Sequence, residues 1–189
     1  MIATVNTGTN PNRVVLSHDG KWIYLTNYGG SSVSVIDAST NAVVATIPVG
    51  GLPDGLALTP DDSLVLVGSA LGGVTVINTA SRTVTGTIKL QFAGRVAVAP
   101  DGKHAYVSQP NVSQLAVIDM ATSTLRTTIP FGWIPLGLAF GQDGGRLYVT
   151  DRGNNTVSAF DPAANRIVGT LTVGTAPVDV TVGTIATGP

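Results

Sequence analysis

The sequence contains no cysteine and no glutamate. The absence of cysteine excludes disulfides, thiolate zinc sites and a cysteine nucleophile, and it leaves the redox compartment open. Eleven acidic residues stand against ten lysines and arginines, which gives a formal net charge of −1. The chain therefore lacks the basic field that usually drives nucleic-acid binding, and nucleic acid is not expected to be its partner.

Long hydrophobic runs are also missing. No apolar stretch approaches the length of a membrane span, and Met1 to Val5 does not show the charged and then apolar pattern of a signal peptide. We expect no membrane span and no signal peptide in this chain. The composition, with 43% hydrophobic residues, only 11% charged residues and 23 glycines, is typical of one strand-rich globular domain with many tight turns.

An internal repeat is the main feature of the chain. Pro53 to Leu58 recurs as Pro135 to Phe140 and again as Pro177 to Val182, and Pro11 to Leu16 and Ala93 to Val98 share the same phase. The successive steps are 42, 40, 42 and 42 residues. A fixed period of this length indicates a propeller, solenoid or other repeat array.

Each period contains four strand-like runs, which we label A to D. Asp-containing turns such as Asp19-Gly20 separate A from B, and a loop of Gly, Asn and Ser leads from B to C. Four antiparallel strands in about 42 residues, with no helix-length amphipathic segment, are typical of a β-propeller blade. The predicted class is all-β, with blades at 9–49, 51–90, 92–131 and 133–173, a leading D strand at 1–7 and a trailing A strand at 177–183.

The B runs carry a resemblance to a known family. Tyr24-Leu25-Thr26-Asn27 and Tyr148-Val149-Thr150-Asp151, the Pro-Asp-Gly-like turns before the B runs and the Val-Ile-Asp endings of the C runs together resemble the YVTN family of propeller repeats. Blade 2 departs from the pattern, because Leu66 replaces the Tyr and Gly68 replaces the Thr. The resemblance covers nearly the whole chain and implies a fold, but it does not specify a function.

Four repeats leave the closure of the ring open. The resembled family commonly closes with about seven blades, so the chain is interpreted as a segment of a larger propeller, as a compact four-bladed ring, or as one part of a ring completed by a second copy. An open stack would expose apolar blade faces, so self-association is expected as its consequence.

Residues with catalytic potential are few. His18 and His104 are the only histidines, and both lie in or beside A–B turns of different blades, where an ordinary solvent-facing role is expected. The repeated turn aspartates are interpreted as local hydrogen-bond acceptors. No nucleophile elbow is present, and we expect no catalytic residue, no metal site and no cofactor.

If a binding site exists, propeller geometry places it where the D–A and B–C loops share one mouth of the central channel. Trp133 is a candidate recognition anchor, although packing between blades is the simpler role for it. Arg13 and Arg95 either face an anionic ligand across the channel or pair with Asp54 and Asp179, and these alternatives stay open. The predicted ligand-binding residues break the repeat on D–A loops: Arg13, Asp54, Arg95, Trp133 and Asp179.

The resemblance implies a non-catalytic binding or scaffold module of an exported, cell-surface or periplasmic protein, with a protein or a small ligand at the channel mouth. The alternatives are a propeller-type enzyme, such as a lyase or lactonase, and a single-stranded nucleic-acid binder. The enzyme would need a channel-facing His or Glu, and the nucleic-acid binder would need a basic groove with stacking aromatic residues.

Overall fold

The structure is a computed structural model that describes residues 4–183. Sixteen strands are present in this part of the chain. They are β1 Pro11–Leu16, β2 Trp22–Asn27, β3 Ser32–Asp37, β4 Ala42–Pro48, β5 Pro53–Leu58, β6 Leu64–Ser69, β7 Gly73–Asn78, β8 Thr83–Ile88, β9 Val96–Val98, β10 His104–Gln109, β11 Gln114–Asp119, β12 Thr124–Pro130, β13 Pro135–Phe140, β14 Leu147–Asp151, β15 Thr156–Asp161 and β16 Arg166–Thr172.

The strands form four separate antiparallel sheets, each made of four strands that are consecutive in the chain. This is the predicted arrangement of four blades, and the all-β propeller class is confirmed. The only helix among residues 4–183 is a single 3-10 turn, Pro110–Val112, in the B–C loop of blade 3. No helix in this part of the chain is long and apolar enough to cross a membrane.

Repeated turn residues close the C–D hairpin within each blade. The Asp37 carboxylate, at the end of β3, accepts hydrogen bonds from the backbone N–H groups of Ser39 (2.8 Å) and Thr40 (3.1 Å), and Asn41 has a positive φ of 57°. Asn and Asp tolerate these conformations better than other residues, and their side chains close such turns locally. Because each C–D turn repeats these hydrogen bonds, the turn residues determine the pairing register of the C and D strands.

The third residue of the YVTN-like run holds the innermost strand. The backbone N–H of Arg13 donates to the Thr26 hydroxyl (3.0 Å), and that of Arg95 donates to the Ser108 hydroxyl (2.9 Å). In blade 1 the hydroxyl satisfies a donor where the β1–β2 register shifts. The Thr of the repeat therefore has a structural role in this chain.

The hydrophobic core consists of three layers, each lying between two neighbouring blades. Between blades 1 and 2, for example, Val33 and Ile47 pack with Leu58, Val65 and other buried residues. The B and C strands of blades 2 and 3 are the most fully buried, because a neighbouring blade covers each of their faces. The D strands are mostly exposed outer edges, as their Thr-rich alternation predicts.

The described parts of the two predicted flanking segments are not strands. Residues 4–7 and 177–183 contain no strand, and residues 1–3 of the leading segment lie outside the described residues. A D strand pairs with the C strand of its blade and an A strand with the B strand, and neither segment belongs to one of the four sheets among residues 4–183. Both segments match the repeat in sequence, but strand formation also requires a neighbouring strand that completes the ladder of hydrogen bonds.

Candidate functional site

Polar and charged side chains from three blades meet at the channel mouth. The Arg95 guanidinium, just before β9, forms an ion pair with the Asp54 carboxylate near the start of β5. Asp54 also accepts a hydrogen bond from the Asn12 side-chain amide (2.6 Å) at the start of β1. Asp54 thus links blade 1 to blade 3 through one carboxylate.

A second ion pair lies at the same mouth. The Arg13 guanidinium of blade 1 contacts the Asp179 carboxylate at 2.5 Å, and Asp179 lies in the segment after β16. Both side chains are partly exposed, at 31% and 43%. Of the two alternatives for the arginines, the structure shows pairing with the aspartates.

The arginines keep unused donors. A guanidinium has five N–H donors, whereas each aspartate contact here uses Nη1. The Nε atoms of Arg13 and Arg95 are buried and have no hydrogen-bond partner among the described residues. These Nε atoms are inaccessible to a ligand, but part of each arginine side chain, 31% for Arg13 and 18% for Arg95, remains accessible at the mouth.

Trp133 lies apart from the two ion pairs, on the loop between β12 and β13. Its indole ring packs against Gly153 of the B–C loop, where no larger residue would fit, and its carbonyl oxygen accepts a hydrogen bond from the Ser113 hydroxyl (2.5 Å). Trp133 is nevertheless 63% exposed. The contact with Gly153 and the hydrogen bond from Ser113 therefore hold Trp133 in place and leave much of the residue accessible.

Asp151, at the end of β14, fixes the loop that carries Trp133. Its carboxylate accepts hydrogen bonds from the backbone N–H groups of Trp133 (2.9 Å) and Ile134 (3.0 Å) and from the side-chain amide of Asn154 (2.6 Å). Burial raises the pKa of this carboxyl, but these donors outweigh burial and leave the pKa below its ordinary value. The ionised Asp151 therefore holds the loop that carries Trp133 in place.

Leu71 is an exposed apolar residue that sequence reasoning missed. It lies on the B–C loop of blade 2 and is 76% exposed. The corresponding positions in the other blades hold Gly29, Asn111 and Gly153, so an apolar side chain at this one position was the available signal. Leu71 adds a second apolar side chain to the rim.

Other residues of the mouth have structural roles. Phe131 is buried between blades 3 and 4, next to Phe160. Gln109 is buried at the end of β10, and its amide donates to the carbonyl oxygen of Phe92 (3.0 Å). Asn27 acts in the same way in blade 1, where its side-chain oxygen accepts the N–H of Gly8 (3.0 Å). The last residue of the B strand therefore ties down the preceding D–A loop.

The histidines lie away from the mouth, on A–B turns or beside them. His18 contacts the Asp62 carboxylate of the next blade (2.6 Å) and remains 64% exposed. His104 lies 2.5 Å from the Arg126 guanidinium. Within residues 4–183, no group of three or more His or Asp side chains is placed to hold a metal ion.

Comparison with known proteins places the chain in a family. The family model described as YNCE-like beta-propeller matches residues 5–187. The chain belongs to the YNCE-like β-propeller family. The predicted propeller-repeat resemblance is therefore confirmed, and the four blades described above are blades of a YNCE-like propeller.

Two curated relatives agree with this assignment. The seven-bladed beta-propeller protein Rv1057 of Mycobacterium tuberculosis is 29% identical over 65% of this chain and 33% of its own length. The uncharacterized protein YwhL of Bacillus subtilis is 30% identical over 57% of this chain and 32% of its own length. The matches thus span about a third of the length of these relatives.

A solved structure titled Kuenenia stuttgartiensis Hydrazine Synthase superposes on this YNCE-like chain with a TM-score of 0.81 and 26% identity. The match covers 88% of this chain and 50% of that one. It supports the propeller fold of the blades, and hydrazine synthase describes that protein alone.

Proposed function

We propose that this chain is a non-catalytic binding or scaffold module and that the channel mouth recognises a segment of a partner protein. The observation that carries the proposal is the exposed Trp133 on a loop fixed by Asp151, at the same mouth as Arg13 and Arg95, whose side chains are partly accessible. Tryptophan and arginine are among the residues most enriched in binding hot spots. Small acidic ligands would use the same arginines.

The chemistry of the mouth suggests what the partner carries. Trp133 and Leu71 would contact apolar side chains of the partner. The arginines would donate hydrogen bonds to a carboxylate of the partner, in competition with Asp54 or Asp179. We therefore propose a peptide segment that combines an apolar residue with an acidic one. The loops that present these groups are held by buried polar contacts, which lowers the entropy cost of binding.

The nucleic-acid alternative receives less support. Both arginines of the mouth are paired with aspartates, so their charge is largely compensated. Phe131, which flanks the mouth in sequence, is buried between blades and offers no surface for base stacking. No observation in the described residues favours the enzyme alternative.

Selection from a random peptide library tests the proposed binding surface. Peptides displayed on phage are selected on the wild-type chain, and their affinities are measured by calorimetry for wild type, Trp133→Ala and Arg95→Ala. We expect both substitutions to weaken binding about tenfold or more, as hot-spot truncations do. Lys103→Ala, in an A–B turn away from this mouth, is the control and should bind like wild type.

The outcome separates the surfaces of the propeller. Enriched peptides that bind Trp133→Ala and Arg95→Ala as tightly as wild type would contradict the proposal, and so would a selection that yields no peptide.

We also propose, from the family resemblance alone, an extracellular, cell-surface or periplasmic location. Cell fractionation of the full-length natural protein would test the location, and recovery in the cytoplasm would refute it.

A further inference from the structure

A cleft opens between blades 3 and 4 on the side of the propeller that carries the A–B and C–D turns, opposite the channel mouth. Its volume is about 820 Å³, which lies within the range of about 300–1,000 Å³ that is usual for sites of small ligands. Tyr106 and Val117 of blade 3 and Phe140 of blade 4 line it, together with turn residues of both blades. The cleft is therefore large enough for a small organic molecule, and part of its lining is apolar.

The aromatic part of the lining contains a hydroxyl group without a protein partner. The rings of Tyr106 and Phe140 pack edge to face, with their centroids 5.6 Å apart. Tyr106 is 5% exposed, yet its hydroxyl has no hydrogen-bond partner among residues 4–183. Because a buried polar group without a partner is costly, this hydroxyl is suited to bind an acceptor atom of a ligand.

The cleft also contains an arginine that no carboxylate of the described chain neutralises. Arg126 is exposed on β12, and its guanidinium lies 2.5 Å from Nε2 of His104. Among residues 4–183, Arg126 forms no ion pair with an aspartate, whereas Arg146 of blade 4 is paired with Asp161 (3.0 Å). The repeat does not require a cation at this position, since the other three blades have valine or threonine there. The remaining donors of Arg126 are thus available to an anionic group.

Between blades 1 and 2 the equivalent space is filled by side chains. Trp22 stands in the position of His104, and Arg82 stands in that of Asn165. The Arg82 guanidinium lies 4.4 Å from the centre of the Trp22 ring, so these two side chains bridge the blades in a cation–π contact. His104 and Asn165 are smaller, which leaves the space between blades 3 and 4 open.

The adjoining A–B turns differ in the same way. The Asp62 carboxylate of blade 2 accepts the backbone N–H of His18 (2.8 Å) and contacts its ring (2.6 Å). The corresponding residues at the cleft are Gly144, which has no side chain, and Pro100, which has no N–H. The cleft between blades 2 and 3 is smaller, about 630 Å³, and its described lining contains no arginine, phenylalanine or tyrosine. An open cleft with aromatic rings and an unpaired arginine therefore distinguishes blades 3 and 4 from the other two neighbouring pairs.

We propose that this cleft binds a small organic monocarboxylate with an aromatic body. The aromatic body lies against Tyr106 and Phe140, and the carboxylate accepts hydrogen bonds from Arg126 and from the Tyr106 hydroxyl. The carboxylates of Asp101 and Asp143 also line the cleft, so a ligand with several negative charges would be repelled. A single negative charge is therefore favoured over a polyphosphate or a nucleic acid. The inference is independent of the function proposed for the channel mouth, which lies at the other end of the blades.

Titration of the full isotope-labelled chain with 1-naphthylacetate tests the site, with amide chemical shifts as the readout. We expect saturable shifts around the cleft, at 99–106 and 140–146, and none at the channel mouth. Arg126→Gln should weaken binding about tenfold or more, and Tyr106→Phe about fivefold, because each removes a hydrogen bond to the carboxylate. Lys89→Gln removes the same charge at an exposed position outside the cleft and should bind like wild type.

Two further measurements separate this mode of binding from nonspecific adsorption. The neutral amide 1-naphthylacetamide should bind at least about tenfold more weakly than the acid, since it lacks the charged contact with Arg126. The double substitution His104→Trp with Asn165→Arg rebuilds the bridge that fills the space between blades 1 and 2, and it should abolish binding. Circular dichroism checks that each variant is folded.

Several outcomes would overturn the proposal. They are equal affinities of wild type and Arg126→Gln, equal affinities of the acid and the amide, and the absence of a saturable shift at the cleft. Shifts confined to the channel mouth would overturn it as well, and they would leave the function proposed for that mouth intact.

Discussion

Asp151 is predicted to be the most sensitive polar residue of the mouth. It is 2% exposed, and its two carboxylate oxygens accept hydrogen bonds from five backbone or side-chain groups of neighbouring loops. Asp151→Asn keeps the size of the side chain but places an NH₂ group where Oδ2 now accepts from Trp133 and Asn154. The new NH₂ group then faces the N–H donors of Trp133 and Asn154, and two hydrogen bonds to a charged group are lost.

The magnitude follows from those two bonds. Hydrogen bonds to charged groups contribute about 1.5–3 kcal/mol each, so the free energy of unfolding should fall by about 3 kcal/mol or more. For a chain of this size, a loss of 1 kcal/mol lowers the melting temperature by about 2–4 °C, so a decrease of at least about 6 °C is expected. Urea denaturation followed by circular dichroism measures the free energy, and thermal denaturation provides the second value.

The control and the pH dependence make this prediction specific. Asp143→Asn, in the exposed A–B turn of blade 4, removes a carboxylate that accepts from the N–H of Gly145 and should cost less than about 1 kcal/mol. Because the pKa of Asp151 is lowered in the folded state, its stabilisation is complete above the unfolded pKa of about 3.9 and is lost as the pH falls through the folded value. The difference between wild type and Asp151→Asn should therefore shrink in acid. Equal stability of the two asparagine variants at pH 7 would refute the reasoning.

Two further substitutions test the repeat and its turns. Gly68→Thr restores the YVTN pattern of blade 2, yet it should destabilise the fold by about 1–3 kcal/mol, because a Cβ there would collide with the Gly94 carbonyl oxygen. Gly86→Thr, with nothing within 4 Å, is the matched control in urea denaturation, and equal losses would contradict the argument. The Ser17 hydroxyl, with other donors of the A–B turn, lowers the pKa of Asp19 to about 2, so Asp19→Asn should be less stable than wild type at pH 7 but equally stable near pH 2. A difference in thermal stability that persists unchanged at pH 2 would show that the carboxylate charge is not its source.

Most of the fold was predictable because its determinants are local and repeated. The Asp and Asn residues that close the C–D turns recur at a nearly constant spacing, so strand order and hairpin register follow from the sequence. The pattern also predicts strands at 1–7 and 177–183, whose described residues, 4–7 and 177–183, are not strands. Their sequences fit the repeat, but pairing depends on neighbouring strands, which is information that a local pattern does not contain.

The candidate site was predictable in part, for a geometric reason. Arg13, Arg95 and Asp179 share one phase of the repeat, and Asp54 lies one residue before that phase. Charged residues at equivalent inner positions of different blades meet around one axis, so the two ion pairs formed among them. Trp133 lies two residues before the shared proline, farther out on its loop, and contacts Gly153. A shift of a few residues along the loop separates the charged centre from the aromatic rim.

Blade 2 shows how missing side chains contribute to the site. Gly55 and Gly68 both lie against the Gly94 carbonyl oxygen, and a side chain at either position would push that backbone away. The close approach carries the next residue, Arg95, over blade 2, where its guanidinium reaches the Asp54 carboxylate and carbonyl oxygen. The departure of blade 2 from the repeat pattern and the charged group at the mouth are therefore parts of one arrangement. The sequence alone shows Gly68 only as a departure from the repeat, because the Gly94 carbonyl oxygen that requires it comes from another blade.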